Sequence, residues 1–316
     1  MDLRGRWLPI ALAGLAVTVM VGVAGLLGSS EVLFPETAAL LCGCWIIPVQ
    51  AWNVTRPRMI ALMCAGATFG LTLNLLVPAP LWARALAAYA FCVLAMNVAG
   101  ADMTPMVSAA VLPVLLGTES WIYPAAVTTI VGLICAIQVL LERAGLREPI
   151  DFVPRRARTW EDVGMWLLRI AAFAAVGAPL YLMGQPLFAV PPLIVAYTSL
   201  TRPDHTLRMR PLRTWAVLAL AALIGGCARE AMMLGLPIVP VALLAYGALV
   251  VDWHLCRDWL PPAGAVVLLA LLVPSTSPLA YAIEVSVGAA LWVAIALCFP
   301  GIRPWGHPAH ATDTSR

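Results

Sequence analysis

Apolar residues run along this chain in long uninterrupted stretches, not in the one-sided stripes of a water-facing helix. Leu8 to Leu27, Pro57 to Val77, Trp121 to Leu141 and Thr214 to Cys227 carry almost no charge. Stretches of about 20 apolar residues match a hydrocarbon core of roughly 30 Å. The alternation that marks a membrane β-barrel is absent. The pattern predicts an all-α polytopic membrane protein with about twelve membrane segments. The first six fall at 7–29, 33–50, 57–77, 81–100, 104–117 and 121–142. Six more fall at 164–183, 187–200, 212–235, 238–253, 261–274 and 278–298.

The polar stretches divide the chain into a first transmembrane repeat, 1–142, a linker, 143–163, a second repeat, 164–298, and a tail, 299–316. Arginines concentrate in alternate connections: Arg4 and Arg6, Arg56 and Arg58, Arg143 to Arg158, Arg202 to Arg213, Arg257, and Arg303 to Arg316. Cytoplasmic loops carry the positive excess, so this spacing predicts both termini in the cytoplasm of a bacterial cell, with the chain in its inner membrane. Arg84 and Arg229 fall toward the outside. Tryptophans 7, 52, 82, 121, 253 and 259 lie near segment ends, where an aromatic belt is expected. The first stretch is too long for the core of a signal peptide and reads as a retained span.

Composition agrees. Of 316 residues, 62% are hydrophobic and 11% charged, against about a quarter charged in soluble domains. The net charge of +3, confined to loops, excludes a nucleic-acid partner. Neither Cys42 and Cys44 nor any other cysteine pair has metal-ligand spacing, so the thiols read as small buried hydrophobes and no cofactor is implied. No nucleophile elbow, phosphate loop or zinc motif is present, and the chain is not expected to be an enzyme.

The two halves correspond. A shift of 155 pairs Arg58 with Arg213, Ala67 with Ala222 and Gly70 with Gly225. A shift of 157 pairs Ala88 with Ala245, Tyr89 with Tyr246, Asn97 with His254 and Pro105 with Pro262. Six segments per half predict two units in the same orientation, related by an axis along the membrane normal.

Four segments are short and proline-started. Pro105, with Ser108 one turn later, opens a run ending at Gly117; Pro261 and Pro262, followed by Gly264, open one ending at Pro274. Fourteen residues at 1.5 Å each cover only about 21 Å. Phe34-Pro35-Glu36 and Val190-Pro191-Pro192 open the partner segments. Half-helix ends inside a membrane must face protein or water, and their N–H groups suit an anion. Paired interrupted segments point to a transporter site. The alternative is plain packing of short tilted helices through Ser108, Gly264 and Ala265.

Leu260-Pro261-Pro262-Ala263-Gly264-Ala265-Val266-Val267-Leu268-Leu269 resembles the signature of the HPP family of integral membrane proteins, and Pro191-Pro192-Leu193-Ile194-Val195 its other Pro-Pro segment. The likeness covers about 187–298, and more weakly 33–142, where Thr104-Pro105 stands for Pro-Pro; it implies a tandem HPP-like protein. Some plastid and cyanobacterial members are associated with nitrite transport, so the resemblance implies an anion substrate. Leu260 stands at the family's histidine position.

Ionisable groups at membrane depth are Glu36, Arg229, Glu230 and Glu284, with Arg229 expected to neutralise Glu36 or Glu284. Asn97, His254, Asp102, Asp252 and Asp258 are expected at the cytoplasmic mouth of the site, with His254 able to relay protons. The expectation is a transporter or channel for a small solute, preferentially an anion, possessing no metal. The alternative is a non-transporting subunit or scaffold, with a homo-oligomer or a membrane partner protein.

Overall fold

The computed structural model describes residues 5–154, 160–202, 210–273 and 277–299. The tail beyond residue 299, linker residues 155–159 and the arginine-bearing stretch 203–209 lie outside them. Within the described residues the chain is helical, with no strand. Eight of the described helices are long and apolar enough to cross a membrane. They are α1 (Trp7–Leu27), α3 (Arg56–Leu76), α4 (Leu81–Val98), α6 (Ile122–Arg143), α7 (Trp160–Leu182), α9 (Pro211–Met233), α10 (Ile238–Cys256) and α12 (Pro278–Leu297).

The other four are short: α2 (Glu36–Leu41), α5 (Pro105–Leu116), α8 (Pro191–Leu200) and α11 (Pro261–Leu269). Helix α2 continues as a π turn, Cys42–Ile46. Prolines start α5, α8 and α11 because a first-turn residue needs no N–H partner. Gly117, at φ +66°, ends α5 in the left-handed region that a side chain would strain.

Long and short helices follow the same order from α1 to α6 as from α7 to α12. Helix α3 packs on α4, α5 and α6, and α9 packs on α10, α11 and α12. The two sets interlock reciprocally: α1 lies on α10 and α7 on α4, while α2 meets α11 and α8 meets α5. The short helices are buried throughout or nearly so. Large apolar side chains instead cover the outside of the long ones, Leu15 and Leu26 on α1, Leu244 on α10 and Leu279 on α12 among them. Such an apolar exterior fits lipid, not water. Trp7 and Trp121 are exposed, as a belt requires, whereas Trp52 and Trp253 are buried and bond to Thr104 and to the Leu260 carbonyl. Their indoles hold internal loops instead of the interface.

The close α3–α5 crossing depends on glycine. A Cβ at Gly70 would collide with the Ala110 carbonyl, and one at Gly66 would come within 3.0 Å of the Met106 carbonyl. Both contacts advance in the same direction, so the two helices run parallel. Gly70 is 14 residues into α3 and Ala110 five into α5, so α5 begins ~13 Å along the span. Gly225 lies against Ala270 and the Val267 carbonyl, which starts α11 ~12 Å along α9. Both helices therefore begin inside the thickness that their neighbours cross.

Candidate functional site

The inner ends of the short helices converge on a vestibule of about 620 Å³ on the arginine-rich face. Its wall comes from the loop after the π turn (Gln50, Asn53), the end of α8 (Ser199, Arg202), the approach to α5 (Asp102) and the start of α11 (Pro261, Pro262). Glu148 and Asp151 stand exposed at the rim. The loops here are irregular, which membrane depth allows only where backbone lines a cavity or lies in protein.

Hydrogen bonds fix the wall. Asn53 Nδ2 donates to the Val153 carbonyl at 2.6 Å, and the Val153 N–H returns a bond to Asn53 Oδ1. Arg202 and Asp102 form an ion pair across the two halves. Trp52 Nε1 donates to Thr104 Oγ1 at 3.1 Å, and Thr104 Oγ1 lies 3.1 Å from Ser199 Oγ. Burial raises the Asp258 carboxyl above its usual range, against the pull of Arg213 and Arg210. Four carboxylates, Asp102, Glu148, Asp151 and Asp258, and one guanidinium, Arg202, line this wall.

Beside the vestibule, Glu142 pairs with Arg56 and lies 3.7 Å from Arg147. Arg147, its side chain fully buried, donates to the Cys44 carbonyl, and Arg6 donates to the Ile46 carbonyl at 3.0 Å. The π turn thus has its last carbonyls closed by cations, as the negative end of a helix favours. Burial lowers the Arg147 pKa from its usual value, against the opposing pull of Glu142.

The candidate residues separate. Pro261 and Pro262 line the vestibule, as do Asp102 and Asp258. Pro105 and Ser108 are buried one layer deeper. Glu36 is brought to Ser108, 72 residues away in sequence, and the serine hydroxyl donates to it. Gly264 sits at the α2–α11 crossing, where a Cβ would lie 2.9 Å from Ala38 Cβ, so its part is close packing. Asn97 is half-buried near the end of α4, and His254 is exposed on α10; neither lines the vestibule. Asp252 is buried and accepts from Cys256 Sγ at 3.4 Å. Glu284 is half-buried on α12.

Arg229 is not the counter-ion of Glu36: its guanidinium donates to the Ala270 carbonyl at 3.3 Å, at the end of α11. Asn74 does the same for α5, donating to the Pro113 carbonyl at 2.6 Å. Among the described residues no cluster of three or more metal-ligating side chains occurs. Sequence reasoning missed Ser199, Arg202, Gln50 and Asn53, whose loop and helix-end positions carry no motif. An apolar groove of about 460 Å³ between α1 and α10, lined by Gly14, Thr18 and Tyr246, faces outward and suits lipid. No family model matches the chain, and no curated protein or solved structure matches it.

Proposed function

We propose that this chain is a secondary transporter or channel for a small solute, built as two tandem six-helix units around the vestibule. The arginine-rich face is then cytoplasmic, in a bacterial inner membrane. The observation that carries the reading is the vestibule itself, a polar space whose floor is the start of a short helix ~12 Å along its spanning neighbour. Interrupted helices meeting between two repeats are where membrane transporters hold their solutes.

Several corresponding contacts support the tandem arrangement. Gly70 meets the Ala110 carbonyl and Gly225 that of Val267, at shifts of 155 and 157. Asn74 and Arg229, again 155 apart, bond to Pro113 and Ala270, again 157 apart. Tyr123 and Tyr281 each donate to a carbonyl of the short helix beside them, Ala109 and Val266. The likeness of 260–269 to the HPP signature accords with this reading.

Asp102, Glu148, Asp151 and Asp258 line the wall together with Arg202, so its charge gives an anion no preference. Purified protein in liposomes is tested against nitrite, nitrate, carboxylates, aromatic acids and small amines. Saturable uptake of at least one, lost when Ser199→Cys is modified by a charged thiol reagent, is the expected result. No flux across the panel, together with co-purification of a stoichiometric membrane protein, would instead mark the chain as a subunit of a complex.

A further inference from the structure

Glu36 has no role in the vestibule wall, and its surroundings ask for one. It is 1% exposed, and its partner Ser108, three residues past Pro105, lies in the first turn of α5, which begins ~13 Å along α3. Ser108 donates to Oε1, while Oε2 has no hydrogen-bond partner. An ionised carboxylate served by one hydroxyl in a dry interior is so costly that such a group neutralises instead.

Among the described residues no ion pair to it occurs. Helices α1, α5 and α11 pack on α2 and contain no ionisable side chain. From α6 and α12 the groups that act on it are Tyr123 and Tyr281, whose hydroxyls donate to backbone carbonyls. Arg229, near Tyr281, donates to Ala270. Cys42 lies six residues along its own helical run, at the start of the π turn.

Buried hydroxyls are spaced between the vestibule and Glu36. Ser199 Oγ is on the wall, 3.1 Å from Thr104 Oγ1. Thr104 and Ser108 are four residues apart and share one face of α5. Ser108 reaches Glu36.

We propose that Glu36 is the proton site of the transport cycle, loaded from the vestibule along the hydroxyls of Ser199, Thr104 and Ser108. The inference rests on the transport reading and adds the coupling ion. A proton from vestibule water joins the Glu36 carboxylate to give a neutral carboxyl. Its return to the vestibule restores the carboxylate, and with it the cost of a buried charge that loosens α2 from α5 and α11.

The test is infrared spectroscopy of the full-length protein in phosphatidylcholine–phosphatidylglycerol vesicles, with the proton as probe. Wild type should show the stretch of a protonated carboxyl at neutral pH, missing in Glu36→Gln and displaced in Glu36→Asp. In D₂O that band should shift without unfolding, about tenfold more slowly in Thr104→Val because one relay partner is lost. Absence of the band at neutral pH overturns the proposal. So does a band that never exchanges in the folded protein, or whose exchange ignores Thr104→Val, since a purely structural carboxyl behaves that way. None of these readouts needs a solute, so uptake in liposomes without the band removes the proton site and leaves transport standing.

Discussion

Arg147 and Arg6 donate to the Cys44 and Ile46 carbonyls, where the helical run that begins at Glu36 comes to its end. A helix that stops inside protein leaves carbonyls that water cannot reach, and charge-assisted bonds are the strongest available substitute. Replacing Arg147 with Met should therefore cost about 1.5–3 kcal/mol, read as a fall in detergent thermal stability, with Arg58→Met as a less damaging control. A second residue responds to pH. Burial raises the Asp258 carboxyl in the folded chain, so its contribution is present at low pH and is lost as pH rises through its folded value. Asp258→Asn should accordingly gain stability relative to wild type as the pH of the unfolding assay goes from acid to neutral. At this scale the sequence was only partly legible. Glu36 and Arg229 stood out as ions in apolar runs, but their partners, Ser108 and the Ala270 carbonyl, lie 72 and 41 residues away. Only packing reveals such distances.

Helices α5 and α11 are short because each starts ~12–13 Å along the span of its neighbour, and glycine permits that approach. The two crossings differ in tolerance. A methyl at Gly70 would meet rigid backbone at Ala110, while one at Gly225 would first meet the Ala270 methyl and the Tyr281 ring edge. Gly70→Ala should cost about 1–3 kcal/mol and Gly225→Ala clearly less, compared by thermal unfolding of the two variants. Equal losses would contradict the close α3–α5 packing. Element positions were largely readable, since each apolar run predicted a helix and each Pro-start a first turn. The π turn at Cys42–Ile46 was not, because nothing in Leu41-Cys42-Gly43-Cys44 distinguishes it from ordinary helix. Trp52 and Trp253 also misled: position near a segment end suggested the lipid interface, whereas internal acceptors hold both indoles inside.

At the scale of the molecule, eight apolar helices among the described residues, with lipid-suited exteriors, enclose four short ones whose inner ends surround a polar space. Hydrophobicity alone made the membrane placement legible. The vestibule was foreseeable only as a consequence of helices too short to cross, and its wall residues come from loops whose course no periodicity records. The most direct measurement is thiol accessibility in membranes. Ser199→Cys, on the wall, is compared with Val267→Cys, deeper in α11, both in a background lacking Cys227, Cys256 and Cys298. A membrane-impermeant charged reagent applied from the arginine-rich face should modify Ser199→Cys readily and leave Val267→Cys untouched. An unreactive Ser199→Cys would contradict a water-filled vestibule, and a reactive Val267→Cys would contradict its closure at the short helices.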